Sequence, residues 1–258
     1  AGIAAGTSAG TRGAESTVQG FRTTSVAATA ANNFVLDGFE IDPSSDPALH
    51  LNATAIVNIF GGTNVSIVNN LFTGAATFAP NCGYTCTDMG DYAIQVRGGA
   101  IDISENAFVN WRRPVNVGQT DASFPITAAS ISHNVFTGIT SRAMSVGQNT
   151  GQTTMAGVVV DGNVVDSTGR GPSSTPAGIT ITNNSNQVKN NSFTGVSSGV
   201  YLQLCKKFVS NSNEITGNTF TNNIFWNKLA FITGNGNLES EVMTDVLAYT
   251  GSTDGQWR

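Results

Sequence analysis

Four arginines carry the chemistry this sequence could most readily do. Arg97, Arg112, Arg113 and Arg142 are four of only 12 Lys and Arg residues in the chain. Tyr92, Asp88 and Asp91 stand just before Arg97. A guanidinium fork matches a carboxylate through two parallel hydrogen bonds. Brought together, these residues would form an anion site suited to the uronic-acid units of an acidic glycan. Beside a neutralised carboxylate an arginine can also take up the adjacent proton, which is the chemistry of a polysaccharide lyase. The alternative is that Asp88 and Asp91 pair with the arginines in a solvated network, each pair stabilising by less than about 1 kcal/mol.

Other reactive side chains are few. Cys82 and Cys86, in "PNCGYTCTD", are spaced to close a small disulfide in an oxidising compartment or to remain two free thiols. Cys205 follows the apolar "YLQL" and reads as a buried thiol. His50 and His133 are the only histidines, and no second cysteine pair completes a zinc pattern, so neither a metal nor a cofactor is expected. His133 precedes an Asn of the repeat and is expected at an exposed turn. Asp161 and Lys189 hold equivalent places in successive repeats and are expected to pair across strands. Sequons at Asn52, Asn64, Asn183 and Asn190 would permit glycosylation on a eukaryotic secretory route.

These residues must be positioned by a repeat. Aligning "SIVNNLFTGA", "ISHNVFTGI" and "VKNNSFTGV" picks out Asn70, Asn106, Asn134, Asn163, Asn191 and Asn218, at steps of 36, 28, 29, 28 and 27 residues. Three places before each lies Ile67, Ile103, Ile131, Val160, Val188 or Ile215. Two places after lies Phe72, Phe108, Phe136, Val165, Phe193 or Phe220. Between the phrases run short alternating segments: "YAIQVR", "RPVNVG", "RAMSVG", "AGITIT" and "SGVYLQL". Strict apolar–polar alternation is the mark of a half-buried strand. Each repeat thus holds at least two short strands, and stacking repeats about 4.8 Å apart puts Ile over Ile and Phe over Phe inside a tube. The Asn falls where the chain turns, bonding to the Asn above and below and tolerating left-handed backbone angles there.

The N-x-F phrases with their paired strands resemble the right-handed parallel β-helix proteins of the pectate-lyase-like superfamily. The resemblance spans roughly residues 34–232. It implies an all-β, single-stranded, right-handed parallel β-helix of roughly eight or nine coils, about 28 residues each. The expected single domain, 1–258, has an irregular start (1–33), regular coils (34–232) and a C-terminal cap or tail (233–258). Leu238, Val242 and Val246 fall at helical spacing in that tail. "NFVLDGFEI" reads as an early coil with a tighter corner, and "TGRGPSSTPAG" as a loop bulging from the tube. The N-T-D, D-D, G-H-G and R-I-K motifs of polygalacturonase-like hydrolases are missing, as are clustered calcium-binding aspartates. "YAIQVRGG" with "ISENAFVN" is similar to alginate-lyase-like β-helices, but the Lys expected on the next coil is replaced in "RPVNVG", so no catalytic residue carries over.

Composition narrows the function. Charged residues are 11% of the chain and the net charge is −5, well under the roughly 25% charged of an average soluble protein. A nucleic-acid partner is not expected, because no basic excess exists to neutralise phosphates. No apolar run is long enough to span a bilayer. A chain opening on "AGIAAGTSAG" and closing on "GQWR" is expected to be a mature chain or a piece of a longer one. The expected role is an extracellular or cell-surface structural or adhesive β-helix, with polysaccharide or neighbouring copies as partners. The alternatives are a polysaccharide lyase or hydrolase, or a non-catalytic carbohydrate-binding β-helix.

Overall fold

The computed structural model describes residues 16–18, 32–42, 55–74, 92–118, 125–147, 155, 157–167, 177–183, 185–204, 213–221 and 225–231. Among them there is no α-helix, and every strand pair is parallel. The strands form three sheets that the chain visits in strict rotation. Sheet 1 holds Val35–Asp37, Val65–Val68, Gly99–Ser104, Ile126–Ser132, Val158–Asp161, Gln187–Lys189 and Glu214–Thr216. Sheet 2 holds Ser16–Val18, Phe39–Ile41, Leu71–Thr73, Ala107–Val109, Val135–Thr137, Val164–Asp166, Ser192–Thr194 and Thr219–Thr221. Sheet 3 holds Ala55–Ile59, Tyr92–Val96, Val115–Val117, Arg142–Gly147, Ala177–Thr182, Ser198–Leu204 and Phe225–Phe231. This arrangement fits a parallel β-helix-like solenoid. Each N-x-F phrase contains two strands, one on either side of its Asn, so a coil has three. The last two residues of the stretch expected to bulge, Ala177 and Gly178, open a strand of sheet 3.

The corner between sheets 1 and 2 is where sequence becomes geometry. Asn69, Glu105, His133 and Asn190 take positive φ between 54° and 57°, and Gly162 and Gly217 take 64°. Each reverses the backbone so that the next residue, the repeat Asn, points inward. Those amides are sealed from solvent: Asn70, Asn106, Asn134 and Asn163 have no exposed surface. A buried amide without partners costs about 1–3 kcal/mol per lost bond, so each must be satisfied internally. Nδ2 of every Asn donates to Oδ1 of the next, from Asn70 to Asn218, at 2.9–3.0 Å. The same Oδ1 accepts from the backbone N–H of the preceding Asn. In the first described coil a lone Gly38 (φ 73°) makes the tighter corner, and Phe39 N–H donates to Asn70 Oδ1 to close the row.

Inside, like lies on like. Phe72, Phe108 and Phe136 stack with ring centroids 4.9 and 4.8 Å apart, and Phe193 stacks on Phe220 at 5.5 Å. Val165 separates the two aromatic blocks. Sheet 1 contributes the column Leu36, Ile67, Ile103, Ile131, Val160, Val188 and Ile215. Trp111 closes the bend after sheet 2, its indole N–H donating to Phe72 O at 2.9 Å.

Sheet 3 departs from simple alternation. Ala93 and Ile94 are both fully buried, as are Ala143 and Met144, and the ladder skips the position between Ala55 and Val57 and its equivalents. The chain turns two successive side chains inward there. Space for the first is slight: a Cβ on Gly178 would stand 2.3 Å from the Phe193 ring and 2.4 Å from Gly199 O. The turn also sends the residue before it outward, which is how Tyr92, Arg113 and Arg142 avoid the core.

Two stability outcomes follow. Asn134→Ala strips the row of a donor and an acceptor and should lower the unfolding free energy by roughly 3 kcal/mol, whereas Asn190→Gly, exposed and already left-handed, should stay within about 0.5 kcal/mol; urea titration reads both. Gly178→Val should cost about 2 kcal/mol or more by overfilling the space beside Phe193, seen as an earlier thermal midpoint.

Candidate functional site

The outer face of sheet 3 gathers the polar side chains with binding chemistry. Val115 lies opposite Ile94 on one side and Met144 on the other. Arg113, two residues earlier, therefore falls between Tyr92 and Arg142, and Arg142 N–H donating to Arg112 O at 3.2 Å extends the ladder to that point. The Arg113 guanidinium carbon sits 4.9 Å above the centre of the Tyr92 ring. Such a contact stabilises by about 0.5–1 kcal/mol at an exposed site and holds the guanidinium plane against the ring.

Arg97 is not part of that group. It follows the far end of strand Tyr92–Val96, five residues on from Tyr92, or roughly 16 Å at about 3.3 Å per residue. The four arginines therefore do not all stand at one level of the face. Arg97 Nη2 donates to Gln95 Oε1 at 2.7 Å, and its guanidinium carbon lies 4.7 Å from the centre of the Phe60 ring. Arg112 is buried, and its carbonyl also accepts from Ser141 N–H at 3.1 Å. Asp88, Asp91, Cys82 and Cys86 lie outside the described residues, as do His50, Cys205 and residues 238–246.

Between the two arginine–aromatic pairs runs a row the sequence reading missed. Asn58, Gln95, Asn116, Ser145, Thr180 and Tyr201 face each other in register across six strands. Each is the polar residue between two inward apolar ones, as in "IVNIF", "AIQV" and "PVNV". That central position was the available signal. Asn58, Gln95 and Asn116 are three consecutive amides, each at most 5% exposed although on the outside of the tube. Asn116 Nδ2 has no acceptor among the described residues.

Amides flanked by stacked guanidinium groups can do specific things. Planar amides bond to hydroxyl pairs, guanidinium forks to carboxylates, and aromatic faces to the apolar face of a sugar ring. Among the described residues of this face there is no Asp, Glu or His. Among the described residues no group of three or more His, Cys, Asp or Glu is placed to hold a metal ion, and no helix is long and apolar enough to cross a membrane. Elsewhere, Asp161 and Lys189 pair across strands at 3.8 Å, and His133 is an exposed corner residue.

No protein-family model matches the chain, and neither a curated protein nor a solved structure is detectably similar to it.

Asn116 and Asn134 are both buried amides, yet they should behave differently on replacement. Asn116→Leu breaks no bond to Nδ2 among the described residues and should leave stability within about 1 kcal/mol or raise it. Asn134→Leu should lower it severalfold more, and parallel urea titrations compare the two.

Proposed function

We propose that this chain is a rigid structural or adhesive segment of an extracellular or cell-surface protein. In this reading it is a right-handed β-helix of the pectate-lyase-like kind, the hand following the strong preference of parallel crossovers. Roughly eight or nine coils are expected once the flanking stretches are counted. The supporting observation is the amide row, which runs without a gap from Asn70 to Asn218 along a filled interior. A tube so tied keeps its outer faces at fixed spacing, which suits a scaffold or spacer. The low charge and the prevalence of Ser, Thr and Asn agree with an exterior setting.

A second reading is favoured by one specific feature, the Tyr92–Arg113–Arg142 group beside the Asn58–Gln95–Asn116 row. It is capture of an acidic glycan on sheet 3, without turnover or as a lyase.

Antibodies against the chain should label intact producing cells or the surrounding medium. Signal found only after lysis would overturn the surface assignment. Incubation with acidic polysaccharides should give no rise in ultraviolet absorbance from unsaturated uronate. A rise that Arg113→Ala abolishes would replace the structural reading with the lyase.

A further inference from the structure

The charges of this chain are sorted by sheet, and the sorting points to a partner. The segments that run along sheet 1, round the Asn corner and along sheet 2 (35–42, 65–73, 99–109, 126–137, 158–166, 187–194 and 214–221) hold eight carboxylates and one lysine. That lysine, Lys189, is paired with Asp161. The described residues of the return stretches that contain sheet 3 (55–64, 92–98, 110–118, 138–147, 177–183, 195–204 and 225–231) hold Arg97, Arg112, Arg113, Arg142 and Lys228 and no Asp or Glu. Among the described residues, the arm of sheets 1 and 2 thus carries −7 and the arm of sheet 3 carries +5. The constant arms of the repeat carry the acid and the variable arms carry the base.

The two flanks are also shaped to meet. On the outside of sheet 1, Ser66, Asp102, Ser130 and Val159 form one row, and Val68, Ser104, Ser132 and Asp161 the next. These are short side chains, and Asp37, Glu105 and Glu214 are exposed along the same face. Sheet 3 offers long ones, Arg113 and Arg142, on adjacent strands. Both faces belong to one tube and share one axial repeat of about 4.8 Å. Two copies lying side by side therefore share that axial repeat at the contact.

We infer that the occupant of the arginine face is a second copy of this chain, docked by the acidic face of its sheet 1. The contact joins different surfaces of identical molecules, so the pair still presents one free face of each kind. Such a head-to-tail contact does not close on itself unless a rotation closes it, and it extends as a lateral row. Attraction between exposed charges is screened within about 10 Å at 0.1 M salt, so the row forms at low ionic strength and disperses at high. The inference rests on the structural-segment reading and gives it a mode of assembly. Its test is independent of where the protein is found.

Sedimentation velocity of the intact chain decides it. At about 20 mM NaCl the sedimentation coefficient should climb with protein concentration, and at about 500 mM it should fall to that of a monomer. Arg113→Glu/Arg142→Glu reverses the charge at the contact on sheet 3, and Asp102→Lys/Glu105→Lys reverses it at the contact on sheet 1; each should remain monomeric at low salt. An equimolar mixture of the two should regain assembly, because each variant then meets a complementary face on the other. Circular dichroism checks that both variants fold. A wild-type chain that stays monomeric at low salt, or assembles equally at both salts, overturns the inference. So does a mixture that fails to recover assembly when both variants are folded. Polygalacturonate added to wild-type rows gives the last arm: dispersal at constant ionic strength, with retention of the monomer on the polysaccharide, would assign the arginine face to the glycan instead.

Discussion

The structure depends on one constraint, the need of a buried carboxamide for partners on both of its ends. Once a left-handed residue turns each repeat Asn into the tube, neither water nor the surface can serve it. The only groups in reach are the equivalent amide on the next coil and the carbonyls beside it. Asn134 Nδ2 lies within bonding distance of Asn163 Oδ1, Ile103 O and Ser132 O at once. Those bonds hold only if successive coils stay in register. The register in turn places Ile131 over Ile103 and Phe136 over Phe108. Polar satisfaction and apolar packing therefore select the same alignment, which is the agreement across levels expected of a well-specified fold.

Much of this was legible in the sequence, for a reason that is itself structural. Sheet 1, the corner and sheet 2 form an arm of nearly constant length, so their residues recur at nearly constant intervals. Asn163 and Asn191 are 28 residues apart, and so are Asn106 and Asn134. The arm containing sheet 3 is joined by connections of unequal length. Asn58, Gln95 and Asn116 stand in one row although 37 and 21 residues separate them. No periodic search finds such a set, because the period has been absorbed by the loops. The candidate arginines could be recognised as a group because each stands at one end of an alternating segment. Arg113 and Arg142 both stand at the head of a strand, while Arg97 stands at a tail.

A second amide pair shows the limit more sharply. Asn186 Nδ2 donates to Asn213 Oδ1 at 2.6 Å, and Asn186 N–H donates to the same oxygen at 2.9 Å. Val158 N–H donates in turn to Asn186 Oδ1. This is the corner device used again, at the turn from sheet 3 into sheet 1. It spans only the later coils, because the register puts Val158, Ala129 and Ile101 at that position in the earlier ones. In so Asn-rich a chain two members do not stand out as a series, whereas six did.

The amides of the long row all point the same way, each giving its N–H toward the C-terminal neighbour. A string of that kind has a fixed sense but no preferred length, since every interior link is chemically the same as the one before it. Ancestors of this protein could therefore lengthen or shorten by one full circuit, duplicating or losing the stretch between two equivalent asparagines, and rejoin like to like. Gain or loss within the stretch that carries the asparagine would leave an amide facing a hydrocarbon side chain, so in that stretch history can be written only in whole turns.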